Sequence, residues 1–335
     1  MAGKPRAREL GLSFEGTPGP LNALTDVAGV EVGHVTLIEG EAVRTGVTAI
    51  HPRGKQNGNP VYAGYFSLNG NGEMTGTAWI EETGLLYDPV LITNTHSVGL
   101  VRDTSIRWQI EQGRGRLWYL PVVAETYDGY LNDINGFHVT ADHVYEALDS
   151  ASGGPIAEGN VGGGTGMICY GYKGGIGTAS RVMNGCTVAA LVQANHGSRH
   201  QLRLPGGWTA VPPSEEPDQA RGSIIIVIAT DAPMLPNQLR ALSKRAALGL
   251  ARTGAVAALS SGDLFLAFST GNPLDGDLGV RHSVSALGQN ECSPIYEAAV
   301  QATEEAIINV LAAAETMTGF QGHTVPAARF LPPVS

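Results

Sequence analysis

From Ser223 onward the chain reads as strand, helix, strand, helix, and this alternation limits the fold more than any other feature. The run SIIIVIAT (223–230) is continuously apolar and of strand length. A helix follows it. Asp231 suits the N-cap, Pro233 the first turn, and Leu235, Leu239, Leu242, Ala246 and Leu250 recur at helical spacing until Gly254 closes it. LFLAF (264–268) is a second core strand. The pair Ser293-Pro294 predicts the start of a last helix, a cap followed by proline, running through IYEAAVQATEEAIINVLAAAETM. Strands and helices in alternation place the chain in the α/β class.

The upstream half is richer in strands and turns. Residues 22–49 read as short strands broken by turns, and alternation around Val61–Leu68 ends in a turn, Asn69-Gly70-Asn71-Gly72. Val90–Thr93 is a buried strand leading into a helix, and Trp118–Val123 is another strand. The segment 197–222, with its GG, PP and SEEPDQARG stretches, is the most loop-like. No internal boundary stands out, so residues 1–335 are expected to form one domain.

Charge and cysteine usage exclude several classes. A formal net charge of −10 without a Lys/Arg block disfavours nucleic acid or an anionic membrane as partner. No apolar run approaches membrane-spanning length. The N-terminus, MAGKPRARELGLSFEG, lacks the apolar segment of a signal peptide. Cys169, Cys186 and Cys292 form no C-x-x-C pair and read as reduced thiols, so a cytoplasmic location is expected.

Familiar cofactor motifs are missing. The segment 160–182 holds eight glycines in 23 residues, yet it has no P-loop lysine and no acidic residue at dinucleotide spacing. Its glycines read as turns and close backbone approaches. His196 and His200 are four apart but have no H-E-x-x-H around them, so no metal is expected. There is no G-x-S-x-G elbow either.

One feature carries chemistry: Ser260-Ser261-Gly262-Asp263 stands directly before LFLAF. These four residues alone read as a serine turn before a strand. They also suit a nucleophile projecting from a sheet edge, or a chain that is cut there. Cleavage of the Ser260–Ser261 bond would give Ser261 its own α-amine, whose ordinary pKa of about 7.7–8.0 makes it a usable base beside the hydroxyl it must activate.

Several long stretches, in order, resemble the self-processing N-terminal-serine aminopeptidases, namely the L-aminopeptidase/D-esterase and β-aminopeptidase enzymes. They are LNALTDVAGVEVGHVTLIEG, VRTGVTAI, AGYFSLNGNGEMTGTAWI, ITNTHSVGLVRD, PVVAETYDGYLNDINGFHV, EGNVGGGTGMICYGYKGGIGTASR, ALVQANHG, SIIIVIATDAPMLPNQL, SSGDLFLAFSTGN and QATEEAIINVL. The resemblance implies an αββα sandwich of two central β-sheets flanked by helices, of the DmpA/ornithine acetyltransferase type, with an N-terminal-nucleophile site. It implies a homotetramer, no cofactor, and cleavage into residues 1–260 and 261–335. Ser261 is then the nucleophile. The junction here is Ser260-Ser261, where the family commonly has Gly-Ser.

The same resemblance assigns Asn195, in VQANHG, to the oxyanion, an amide donor placed where negative charge develops. Tyr127, in ETYDG, matches an active-site tyrosine, with Tyr170 as its rival. Glu125 is a candidate for the substrate's terminal ammonium, as an acidic group favours a nearby cation. The family's hydroxyl and carboxylate fall on Thr303 and Glu305. Residues i and i+2 do not share a helix face, which keeps Glu304 in contention. The implied activity is a serine aminopeptidase or amidase acting on short peptides, amides or esters, D- or β-amino acid substrates included. An uncut binding homologue and an aminolytic acyltransferase are the alternatives.

Overall fold

Period-two alternation in the strands decides which layer each side chain enters. The computed structural model describes residues 4–87, 89–212, 222–277 and 279–333. Along the chain, β1 (Glu31–Glu39), β2 (Val43–His51) and β3 (Val61–Ser67) precede α1 (Thr77–Thr83), β4 (Leu85–Leu86), β5 (Val90–Asn94), α2 (Val98–Glu111), β6 (Val122–Thr126) and α3 (Ala141–Asp149). Then come β7 (Gly175–Met183), β8 (Cys186–Asn195), β9 (Ser223–Thr230), α4 (Pro236–Arg252), β10 (Asp263–Ser269) and α5 (Gln289–Ala313), with shorter strands and turns between elements.

Two mixed sheets result. The first has the order β1-β2-β5-β6, parallel only between β5 and β6. The second has the order β4-β3-β10-β9-β8-β7, parallel only between β9 and β10. In β9, Ile225, Val227 and Ala229 point inward and meet Ile92, Val122 and Ala124 of the other sheet. Ile224, Ile226 and Ile228 point the opposite way, into a core with Leu239 and Leu242 of α4 and Ile307 of α5. On the far side, Leu91 and Val123 pack with Val98 and Trp108 of α2 and Val144 of α3. Each such isoleucine contributes about 1.5–3 kcal/mol by leaving water. The layering is helix, sheet, sheet, helix, the αββα sandwich expected.

The boundaries of three elements differ from the sequence reading; one of them, α5, ends at Ala313 and not at Met317. The α4 helix starts at Pro236, after Leu235 as N-cap, not at Asp231 and Pro233. Asp231 is engaged elsewhere: its carboxylate accepts the Thr187 N–H at 2.7 Å, tying the end of β9 to β8. The α5 helix starts at Gln289, so Pro294 lies inside it. The N–H that Pro294 lacks would have served Asn290, whose place in the exposed first turn makes the loss tolerable. The strand expected at Trp118–Val123 runs over Val122–Thr126 instead, with Trp118 half exposed before it.

The glycine-rich segment forms a 3-10 turn (Gly162–Gly164) and a short antiparallel pairing of Ile168–Cys169 with Tyr172–Lys173, and from Gly175 it becomes β7. Gly177 has a packing reason there. A Cβ on it would come within 2.1 Å of the Ala306 carbonyl oxygen of α5, so only glycine lets the helix settle on this strand. Of the loop-like 197–222, residues 213–221 lie outside the described residues.

Candidate active site

The parallel pairing of β9 and β10 begins at Ile224 and Asp263, which fixes where the serine pair must turn. Just ahead, a tight turn closes through the Ser261 N–H and the Ala258 carbonyl at 2.8 Å. Ala257 adopts a left-handed φ of 50° to enter it. Leu259, at the tip, is 95% exposed, whereas Ser261 is 5% exposed. The turn therefore carries the chain from solvent into the sheet within two residues.

Ser261 Oγ donates to Asp263 Oδ1 at 2.5 Å. The Gly262 N–H donates to Ser223 Oγ at 3.0 Å, and the Gly262 carbonyl accepts the Ile224 N–H at 3.2 Å. Asp263 is buried, and desolvation pushes its carboxyl above the ordinary range, with hydrogen bonds from Ser261, Ile224 and Asn69 opposing. A carboxylate so placed is a stronger base than one in water.

A second loop, Asn69–Gly72, braces the junction. The Asn69 amide donates to the Ala258 carbonyl at 3.0 Å and to Asp263 Oδ2 at 3.2 Å. The Asn71 amide donates to the Ser260 carbonyl at 2.7 Å. A Cβ on Gly262 would sit 2.4 Å from the Asn71 carbonyl oxygen, so the two loops touch backbone to backbone. A Cβ on Gly72 would lie 3.1 Å from Gly262 Cα and 3.2 Å from Glu125 Oε1. Glu125 is thus brought to the junction with one glycine between. Its carboxylate accepts the Glu73 N–H at 3.0 Å and the Thr95 hydroxyl. Burial raises its pKa, against those two bonds.

Asn195 closes β8 opposite Ser223, the residue that holds Gly262. Its amide oxygen accepts the Ile168 N–H at 2.8 Å, and its amide nitrogen donates to the Tyr127 carbonyl at 2.9 Å. An amide nitrogen carries two N–H groups, so among the described residues one N–H of Asn195 has no acceptor. Tyr127 reaches this set through its backbone carbonyl, and the residue is 44% exposed. The rival, Tyr170, is buried, bonds Thr253 Oγ1 at 2.7 Å and lies edge-on to His196. Its neighbour His196 lines a cavity of ≈ 100 Å³ together with Leu250, Ala257, Ser261 and Asp263, among others. Among the described residues, no three His, Cys, Asp or Glu side chains are grouped to hold a metal ion.

Glu305 lies away from Ser261, whereas Thr303, on the same helix, sits beside a residue of the Ser261 cavity. Glu305 is fully buried and paired with Arg181 at 2.7 Å and Arg8 at 2.8 Å, with the Asn22 amide at 2.6 Å. Burial alone would raise its pKa, but the Arg8 hydrogen bond, the two guanidinium charges and Asn22 hold it below the ordinary value. Arg181 aligns through Val188 and Thr230 with Ser269, the far end of β10. Asp263 opens that strand, and six residues at about 3.3 Å each put its two ends about 20 Å apart. Thr303 packs against Gly249 of α4, beside cavity-lining Leu250, and its buried hydroxyl has no hydrogen-bond partner among the described residues. Glu304 turns the other way and pairs with Arg252 at 3.0 Å.

The sequence reading missed Asp263, Asn69, Asn71 and Ser223. Asp263 stood in plain view two residues after Ser261. The two asparagines were seen only as turn formers, since nothing local says which carbonyl a turn amide will meet.

The model of peptidase family S58 matches residues 22–325. The chain is 52% identical to beta-peptidyl aminopeptidase BapA of Sphingosinicella microcystinivorans, over 96% of this chain and 89% of that protein. A solved Burkholderia sp. beta-aminopeptidase superposes with a TM-score of 0.89 at 49% identity, covering 96% of this chain and 95% of that one. The L-aminopeptidase D-Ala-esterase/amidase of Ochrobactrum anthropi, described as a prototype serine aminopeptidase with a variant of the Ntn hydrolase fold, gives 0.90 at 47% identity, covering 97% and 95%.

Proposed function

The chain belongs to peptidase family S58 and is a serine aminopeptidase, and on that footing we propose that it cuts itself before Ser261 and then removes N-terminal residues, β-amino acids among them, from short peptides and amides. The observation that carries this reading is the Ser261 hydroxyl, buried and bonded to Asp263 at 2.5 Å, directly behind a turn whose tip is in solvent.

In the uncut chain the cavity at Ser261, ≈ 100 Å³, is below the roughly 300–1,000 Å³ of ordinary ligand sites. Ala255, Val256, Ala257 and Ala258 form one wall of it, and all four precede the junction. Breaking the Ser260–Ser261 bond releases that wall's anchor and creates the α-amine of Ser261. This amine titrates near neutrality and takes the hydroxyl proton as Ser261 attacks a substrate carbonyl. The second N–H of Asn195 is the donor for the oxyanion, and Glu125 receives the substrate ammonium. Water then releases the acyl group. Assembly as a homotetramer and a cytoplasmic location belong to the same proposal.

The test pairs intact mass with turnover. Purified protein is expected as two fragments divided before Ser261, hydrolysing p-nitroanilides of β-Ala, L-Ala or D-Ala. Turnover by a chain that stays whole would overturn it.

A further inference from the structure

The Asn71 amide is 2.7 Å from a carbonyl oxygen, and that carbonyl is Ser260's, the acyl side of the bond at the junction. Nothing in a bare turn requires this contact. We propose that the Asn69–Gly72 loop is the oxyanion-stabilising element of self-cleavage, with Asn71 as donor and Asp263 as proton acceptor, a role separate from substrate turnover. The proposal rests on the self-cleavage reading above.

The loop is built to hold Asn71 in place before any reaction. The Leu68 N–H donates to the Asp263 carbonyl at 2.9 Å, and Asn69 spans from Ala258 to Asp263. The backbone contact between Asn71 and Gly262 prevents either loop from drifting. A donor fixed at the ground-state oxygen stays in reach as that oxygen gains charge, without reorganisation. Asn195 does not contact this carbonyl; its amide is engaged with Tyr127 and Ile168. The chain thus has two amide donors on two elements, one at the Ser260 carbonyl and one at the end of β8.

The step balances without an outside reagent except water. Ser261 Oγ bonds to the Ser260 carbonyl carbon while its proton passes to Asp263 Oδ1, and the carbonyl oxygen becomes the oxyanion facing Asn71. The C–N bond then breaks, and Asp263 returns the proton to the departing Ser261 nitrogen. Water adds to the resulting ester, leaving a Ser260 carboxylate, a restored Ser261 hydroxyl and a free α-amine.

The test follows cleavage of newly synthesised full-length chain by denaturing electrophoresis, for wild type, Asn71→Ala, Asn71→Asp and Ser261→Ala. Removing one oxyanion donor is expected to slow cleavage about 10²–10³-fold. Asn71→Asp, nearly the same shape but with an acceptor in place of the donor, should be at least as slow. Thermal melts against uncut Ser261→Ala identify folded variants, and Asn71→Asp decides if Asn71→Ala unfolds. If the wild type is never cut before Ser261, the self-cleavage reading fails. If the wild type is cut and folded Asn71→Asp keeps pace with it within a few-fold, only the role of Asn71 fails.

Discussion

Replacing Glu305 with glutamine separates the two roles this residue has been given. The carboxylate is fully buried between Arg181, also fully buried, and Arg8, which is 30% exposed at its side chain. Glutamine keeps the shape but leaves the Arg181 guanidinium without a counter-charge. Breaking a buried pair by removing one partner costs about 3–5 kcal/mol. With an unfolding entropy of about 2.1 cal/mol/K per residue, a chain of 335 residues should lose about 4–7 °C in melting temperature. The pH dependence has a definite sign. Because the folded carboxyl is held below its ordinary pKa of about 4.3, its contribution is present above that value and fades as pH falls through the folded one. The melt of Glu305→Gln should therefore approach that of its parent in acid. Melts are measured on the Ser261→Ala background, where the chain stays whole, and cleavage and turnover on the otherwise wild-type background. Folded Glu305→Gln should still cleave itself and turn over within a few-fold of wild type. An unchanged melt together with lost turnover would refute the structural role and return Glu305 to the catalytic set.

Two further outcomes concern the groups around Ser261. Glu125→Gln should cut kcat/KM on substrates with a free terminal amine by about 30-fold or more, mainly through KM, because losing one partner of a buried charge pair costs about 2–5 kcal/mol. Its raised pKa also predicts that the wild-type KM rises on acidification sooner than an ordinary carboxylate would allow; a KM indifferent to both changes would sink the ammonium assignment. Asp263→Asn should slow self-cleavage by about 10²–10⁴-fold, the usual worth of a general base. In the wild type, cleavage should weaken as pH falls through the raised Asp263 pKa, and cleavage rates measured from pH 4 to 8 that show no such limb would contradict its role.

Much of the architecture was legible because burial leaves a periodic trace. The runs at Ile224–Ile228 and Leu264–Phe268 announced strands covered on both faces, and α4 announced its buried stripe through Leu239, Leu242, Ala246 and Leu250. Helix starts were less legible, since a cap residue has more than one use: Asp231 bonds the β8 edge instead of capping. The site was legible at Ser261 and Glu125, which lie on segments converging on one end of the sandwich. It was not legible at Glu305. At about 1.5 Å per residue, α5 travels far along the sheet, and sequence gives no sign of which strand end a given turn overlies. Only the pairing with Arg181 supplies it. Asn71 was hidden for a different reason, as its function depends on a contact 189 residues away.

In the proposed function, Ser261 makes itself an N-terminus and then acts as nucleophile. N-terminal sequencing and intact mass of freshly made protein, beside Ser261→Ala, test it most directly. The account predicts a fragment beginning at Ser261 in the wild type, appearing in step with aminopeptidase activity, and an uncut, inactive Ser261→Ala chain. Activity in a chain whose Ser260–Ser261 bond is intact would contradict it.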